Sequence, residues 1–209
     1  MRINEIFYSI QGESTFSGMP TVFVRATGCH LRCSWCDTEY AFEEGKELSI
    51  DEVIHQVEAF GCSLVEVTGG EPLLQKETFT LMKKLLDNGF TLLLETSGAV
   101  SVREVDPRVR VIMDVKCPGS GMSGRMVWEN LSLLKKGDEL KFVIADEEDY
   151  EWAKGILAQW KPKQEVIFSP VFGLQDPQKL AEWILADRLP VRLQLQLHKQ
   201  IWSPETRGV

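Results

Sequence analysis

The chain lacks any apolar run near the roughly 20 residues that a membrane span needs. Its amino-terminal stretch "MRINEIFYSIQGES" also has no apolar h-region of the kind that marks a secretory signal. Positive charge is scarce: 23 Lys and Arg stand against 31 Asp and Glu, a net charge of -8. A surface of that sign repels phosphate backbones and anionic lipid, so direct nucleic-acid and membrane partners are not expected. Cysteine is sparse, with five residues in 209. A cytoplasmic location is expected, and in that reducing setting five cysteines do not make a disulfide framework; closely spaced ones are more often metal ligands or redox groups. No internal repeat, low-complexity tract or linker divides the sequence. With 44% hydrophobic residues, one domain spanning 1–209 with a single core is expected.

What is present is an alternation of short apolar runs with longer amphipathic segments. "PTVFVRA" predicts a strand over Thr21 to Ala26, rich in β-branched residues, leading straight into "TGCHLRCSWCDTEY". Ser49 to Phe60 predicts a helix: Ser49 and Glu52 make a capping box, Ile50, Val53, Ile54 and Val57 recur at helical spacing, and Gly61 ends it. "LVEV" predicts a strand and Lys76 to Asp87 a second helix, stopped by "NG". Strands are expected at "TLLLE", "VRVIMDV", "ELKFVI", "EVIFSP" and "VRLQLQL", and helices at Met126 to Leu134, Glu147 to Trp160 and Pro177 to Ala186. The segment from Thr96 to Arg108 is too short and irregular to assign. This order predicts an α/β fold with a parallel sheet and helices outside, as a partial barrel or an open doubly wound sheet. Ligands then gather at the strand ends, which read "TGCHLRCSWCDT", "TGGEP", "ETSG", "DVKCP", "ADEED" and "SPVFG".

Cys29, Cys33 and Cys36 lie within eight residues. A structural zinc site takes four protein ligands, usually as two pairs, and neither Cys62 nor Cys117 has a cysteine neighbour; His30 or a distant residue would have to complete the tetrahedron. An iron-sulfur cube also normally takes four cysteines, so three leave one iron open to a small molecule. "TGGEP" read alone is a strand-to-helix turn, with glycines at special backbone angles and Pro72 opening a helix.

Taken in order, C-x3-C-x2-C after the first strand, Trp35 before the last cysteine and "GGEP" after the next strand resemble the radical S-adenosylmethionine (SAM) superfamily. "NEIFYSIQGE", "FVRATGCHLRCSWCDT", "TGGEP", "ETSG", "DVK" and "QLHKQIW" together resemble the 7-carboxy-7-deazaguanine synthase family along nearly the whole chain. The resemblance implies a partial (β/α)6-type radical SAM barrel with abbreviated helices. It implies a lyase that converts 6-carboxy-5,6,7,8-tetrahydropterin to 7-carboxy-7-deazaguanine with loss of ammonia, in queuosine and deazapurine biosynthesis. SAM, cleaved to a 5'-deoxyadenosyl radical and regenerated, serves as cofactor beside a [4Fe-4S] cluster and Mg2+. A homodimer and a flavodoxin-like or ferredoxin-like electron donor are also implied.

Carried residue by residue, the resemblance makes Cys29, Cys33 and Cys36 the cluster ligands and Thr38 an Mg2+ ligand, as suits a hard oxygen donor. Trp35, Cys36 and Asp37, with Gly70, Ser97, Asp114, Val115, Lys116 and the run Ser169, Pro170, Val171 and Phe172, would lie against SAM. Ile10, Gln11, Gly12, Glu13, Arg25, Thr68, His198 and Val209 would contact substrate, with Arg25 facing its carboxylate. Glu71 is expected to accept a hydrogen bond within its loop. Gln196 and His198 would share one face of the last strand.

Plainer readings exist for several of these. Thr38 would be a turn cap, Arg25 a surface ion pair, Lys116 a solvated strand end and His198 a satisfied core histidine. Cys62 and Cys117 read as small core hydrophobes, although Cys117 adjoins Lys116. Trp152 and Trp160 are candidates for an interface or for the core. Two other functions fit the cysteines: an activating enzyme that makes a glycyl radical on a protein, and a non-enzymatic zinc or iron-sulfur module.

Overall fold

Two-residue alternation decides the architecture of this chain, whose residues 1–209 are all described by a computed structural model. In the strand before the cysteines, β2 (Pro20–Ala26), Val22 and Val24 are buried in the main core, while Phe23 and Arg25 line a cavity on the other side. The same division runs through β4 (Leu64–Gly69), β5 (Thr91–Thr96), β6 (Arg110–Asp114), β7 (Glu139–Ile144) and β8 (Glu165–Pro170). Val65, Leu92, Val111, Leu140 and Val166 belong to the outer core, whereas Glu66, Glu95, Asp114 and Lys141 line the cavity. Strands with an apolar outer face and a polar inner one must be covered by helices on one side only, the condition for a barrel wall.

Helices α1 (Ile50–Ala59), α2 (Glu77–Asp87), α4 (Glu147–Trp160) and α5 (Pro177–Asp187) supply that cover, with α3 (Asn130–Leu133) reduced to one turn. Both halves of the α1 capping box form: Ser49 Oγ accepts from Glu52 N–H at 3.2 Å and Glu52 Oε2 accepts from Ser49 N–H at 2.7 Å. α5 starts on Asp176, which caps Gln178 N–H, with Pro177 in its first turn.

The sheet has nine strands in the order β3-β1-β2-β4-β5-β6-β7-β8-β9 and is parallel from β2 to β9. It does not close, which agrees with a partial barrel with abbreviated helices. Five elements depart from the sequence reading. β1 (Arg2–Ile10) and β3 (Lys46–Glu47) add an antiparallel edge that an all-parallel reading did not contain. The long helix expected over Met126 to Leu134 is only α3. No helix joins β5 to β6, across the segment that the sequence reading left unassigned. The strand expected over "VRLQLQL" is reduced to β9 (Arg192–Leu193), and His198–Ile201 forms a short turn of helix, α6.

The β1–β2 connection folds under the inner face. Gln11 N–H donates to Met19 O and Gly18 N–H to Gln11 O, each at 2.8 Å, which closes it, and Thr15 reaches across to buried Glu139. Phe16 packs on Leu64, Leu93 and Ile112, which fill the base of the barrel. Cys117 is buried in the main core and Cys62 is half-buried against it, so both act as small apolar fillers, and Cys117 does not line the cavity. Trp152 and Trp160 pack on Trp128, with ring centroids 6.1 and 6.2 Å away, and Trp160 stays partly exposed.

Candidate active site

Above the apolar base, the ends of the parallel strands enclose a cavity of about 500 Å³, within the range of small-molecule sites. One wall is the cysteine loop. Gly28, at φ 104°, turns the chain out of β2, a backbone region that favours glycine. Its N–H donates to Ala41 O and its carbonyl accepts from Glu71 N–H, each at 2.8 Å. Arg32 stacks 4.1 Å over Phe42 and donates to the carbonyls of Cys29 and Leu31 at 2.8 and 2.6 Å. Ser34 is tied to Gly119 and Ser120. The loop is thus braced from three sides.

Cys29, Cys33 and Cys36 all line the cavity, half-exposed, and burial raises all three thiol pKa values. No fourth cysteine lines the cavity beside these three, a count that suits a cube with one open iron better than a four-cysteine zinc site.

Gly70 adjoins the loop. Neither Gly69 nor Gly70 has a positive φ, so special backbone angles do not explain "TGGEP". Proximity does: a Cβ on Gly70 would lie 2.3 Å from Gly28 O and 2.7 Å from Cys29 Cβ. Gly70→Ala is therefore expected to push the cysteine loop outward and reduce iron bound after reconstitution several-fold, with far-ultraviolet dichroism unchanged. Full iron retention would refute this. Glu71, fully buried, turns away from the cavity. It accepts from Leu73 N–H, Thr96 Oγ, Ser97 N–H and Ser97 Oγ at 2.5 to 3.0 Å, which splices the "GGEP" and "ETSG" loops.

The opposite wall comes from the ends of the chain. Ile10, Gln11, Gly12 and Glu13 line it, with His198 and Val209. A Cβ on Gly12 would lie 2.0 Å from His198 Nδ1, so only glycine fits beneath the imidazole. Burial lowers the His198 pKa from its ordinary value, which keeps the ring neutral at pH 7. Gln196 is in the cavity wall too, and its Nε2 donates to Glu13 Oε1 at 2.7 Å. The two residues meet there through a loop and a helical turn, not as alternate residues of a strand.

Charge is closely compensated. Arg25 Nε donates to Glu5 at 2.8 Å, and its guanidinium lies between the rings of Phe7 and Tyr40. Tyr40 OH donates to the same Glu5 oxygen at 3.1 Å; burial, before any charge effect, raises the Tyr40 pKa to about 12. Lys116 pairs with Asp114 at 2.8 Å and Lys199 with Asp37 at 2.6 Å. Lys141, its side chain 5% exposed, bonds Glu13 and, at 2.6 Å, Glu95. Burial alone would lower the Lys141 pKa and raise that of Glu13; their mutual attraction reverses both. Thr68 Oγ donates to Glu95 at 3.1 Å, and Thr38 Oγ donates to Asp37 Oδ1 at 2.9 Å.

Most of the expected site residues therefore surround one space. Trp35, Cys36, Asp37, Ser97, Asp114, Lys116, Val171 and Phe172 line it near the thiols, and Arg25, Thr38 and Thr68 lie between the two walls. Three side chains do not line it. Val115 is turned into the outer core by strand alternation, Ser169 is buried without a partner for its hydroxyl, and Pro170 lines a neighbouring pocket. Lys116 is no solvated strand end, and Arg25 is no surface ion pair. The residues that sequence reasoning passed over are Glu66, Glu95 and Lys141. Their signal was a charge in the middle of an otherwise apolar strand.

Comparison with known proteins agrees with this geometry. The radical SAM superfamily model matches residues 23–115. The chain is 52% identical to a 7-carboxy-7-deazaguanine synthase of Chlorobaculum tepidum, over 100% of this chain and 97% of that protein. It is 47% identical to one of Koribacter versatilis, over 100% of both. Among solved structures, QueE from Escherichia coli superposes with a TM-score of 0.78 at 25% identity, covering 94% of each chain. Identity at this level over the full length, on the same fold and with the three thiols in place, places the chain in the 7-carboxy-7-deazaguanine synthase family of the radical SAM superfamily.

Proposed function

We propose that this cavity converts 6-carboxy-5,6,7,8-tetrahydropterin to 7-carboxy-7-deazaguanine with loss of ammonia, in queuosine and deazapurine biosynthesis. One observation carries the reading: the three-thiol wall and the wall of Gln11, Glu13 and His198, with Arg25 and Thr68 between them, face a single cavity, in a chain whose full-length relatives bear that enzyme's name. Cys29, Cys33 and Cys36 would hold the [4Fe-4S] cluster, whose open iron takes SAM. When bound there, cluster and SAM would supply the radical chemistry, and the residues of the opposite wall would hold C6 of the pterin for hydrogen removal.

The remaining work belongs to the chain. Trp35, Gly70, Ser97, Asp114, Lys116, Val171 and Phe172, with the backbone at Val115, Ser169 and Pro170, would position SAM. The apolar base and the β1–β2 connection close the cavity from beneath. Arg25 is held by its Nε on Glu5, which leaves its terminal nitrogens to face a carboxylate.

Mg2+ at Thr38 belongs to the same reading. The hydroxyl proton of Thr38 is given to Asp37, so its lone pairs are available to a hard cation. Lys116, Lys141 and Lys199 each already face a carboxylate, and Glu5 offsets the charge of Arg25 while leaving its terminal N–H groups free, so an incoming substrate carboxylate finds donors but little net positive charge. A divalent ion would supply it. A homodimer, a flavodoxin-like or ferredoxin-like electron donor and a cytoplasmic location complete the proposal, and no helix is long and apolar enough to cross a membrane.

The test is anaerobic turnover of the reconstituted protein with dithionite, SAM, Mg2+ and 6-carboxytetrahydropterin, followed by mass spectrometry. Product without stoichiometric loss of SAM is expected. SAM cleavage with the pterin unchanged would reject this substrate and favour the protein-activating alternative. Arg25→Ala should keep the cluster and SAM cleavage while losing about 10²-fold or more in kcat/KM for the pterin, the scale of a lost charge-assisted pair. Equal kcat/KM would remove Arg25 from the substrate site.

A further inference from the structure

Five carboxylates line the cavity, and four of them face a cation. Glu13 and Glu95 flank Lys141, Asp114 holds Lys116 and Asp37 holds Lys199. Glu66 faces none. It is 4% exposed, on the inner side of β4, and its partner is an amide: Gln11 Nε2 donates to Oε2 at 2.6 Å. The Gln11 amide is itself oriented, since its oxygen accepts from Glu13 N–H at 3.2 Å. Oε1 of Glu66 has no protein donor and is open to the cavity, not sealed among apolar atoms. Burial, and after it the charge of Glu95, pushes the Glu66 pKa well above the ordinary carboxyl range. Every other acidic side chain in the cavity is paired with a lysine; Glu66 has only the amide of Gln11, on one of its two oxygens. A buried carboxyl in that condition is costly unless a ligand brings N–H groups to it.

Its depth indicates which part of a ligand would do so. Arg25 pairs in register with Thr68, and Phe23 with Glu66, two residues nearer the base. Glu66 is thus about 7 Å below the Arg25 level, at about 3.3 Å per residue. In a 6-carboxypterin the carboxylate and the 2-amino group stand at opposite ends of the bicyclic ring. A ring whose carboxylate meets Arg25 at the upper level therefore directs its 2-amino edge downward. We infer that Glu66 is a specificity-determining residue whose open carboxyl oxygen accepts an N–H from the 2-amino edge of the bound ring, beside the amide of Gln11. The inference rests on the pterin reading above and adds to it the discrimination between 2-amino and 2-oxo rings.

The experiment compares 6-carboxytetrahydropterin with 6-carboxytetrahydrolumazine, its 2-oxo counterpart, in the reconstituted wild type and in Glu66→Gln. Both kcat/KM and the dissociation constant of each ring, measured by equilibrium dialysis without reductant, are read. The wild type should prefer the 2-amino ring by about 10²-fold or more. In Glu66→Gln an amide N–H can face the cavity, so that preference should shrink at least tenfold, mainly through KM and the dissociation constant, with SAM affinity unchanged. A merely structural role would weaken both rings alike. An unchanged ratio in the variant overturns the assignment of Glu66. So does a wild type that accepts the two rings equally, a result independent of any variant. A wild type that cleaves SAM and leaves both rings unchanged defeats the pterin reading, and this inference with it.

Discussion

Cys33→Ala is expected to yield a folded protein that binds no stable cluster and turns over no substrate. The side chain is half-exposed and its sulfur makes no hydrogen bond, while the backbone bond from Cys36 N–H to Cys33 O survives the substitution. The loop keeps its other braces at Arg32, Ser34 and Gly28. Removing one of three thiolates nevertheless leaves a cube with two protein ligands. Activity should fall to background, because accelerations of ~10⁶-fold or more depend on chemistry that the cofactor carries. Iron and sulfide content after anaerobic reconstitution, visible absorbance and SAM cleavage all report the loss. Full activity in Cys33→Ala would show the ligand assignment to be wrong, and zinc in place of iron and sulfide in the wild type would restore the non-enzymatic alternative.

Lys141→Met is expected to produce the largest loss of stability. The ammonium is buried between Glu13 and Glu95, with Asp114 3.9 Å away, and methionine would leave those carboxylates facing one another. Breaking a buried pair from one side costs about 3–5 kcal/mol. In a chain of this length that lowers Tm on the order of 10 °C. The sign with pH follows from Glu13, whose pKa the lysine holds below its ordinary 4.5 despite burial. That contribution is present above pH 4.5 and is lost as pH falls through the lowered value. The difference between wild type and Lys141→Met should therefore be full at pH 7 and shrink in acid, as urea titrations at the two pH values would show. Equal midpoints at pH 7 would mean that the network does not hold the inner face together.

Local signals were legible where local physics decides. Ser49 and Glu52 announced α1, Asp146 precedes a helix with the expected bounds of Glu147–Trp160, and the β-branched run of β2 led to the thiols as read. β1 was missed because "RINEIFYSI" mixes polar and apolar residues without a clean period; it is a strand because the sheet edge accepts it. "VRLQLQL" failed in the opposite way. Its alternation is good, but β9 is the last strand of an open sheet, and after Leu193 the chain leaves it to reach residues 12 and 13. Motif matching located most of the cavity lining, but it was blind to the charges on the strands. Glu66, Glu95 and Lys141 occur in segments that read as ordinary core strands, and only the curvature of the sheet turns them toward one another.

The two walls of the cavity also differ in how far apart in the chain their parts lie. The thiol wall is assembled from residues 28 to 36 bound to Glu71 and, through Ser34, to Gly119 and Ser120. The opposite wall needs Leu197 N–H on Gly12 O, Gln194 on Ser14 and Gln196 on Glu13, contacts that join positions 180 or more residues apart. Closing such a loop is entropically slow. During synthesis the cysteine loop can find its partners before the last third of the chain is made, whereas the substrate wall must wait for residues 194 to 197 to leave the ribosome. The thiol wall can thereby form ahead of the substrate wall within a single polypeptide.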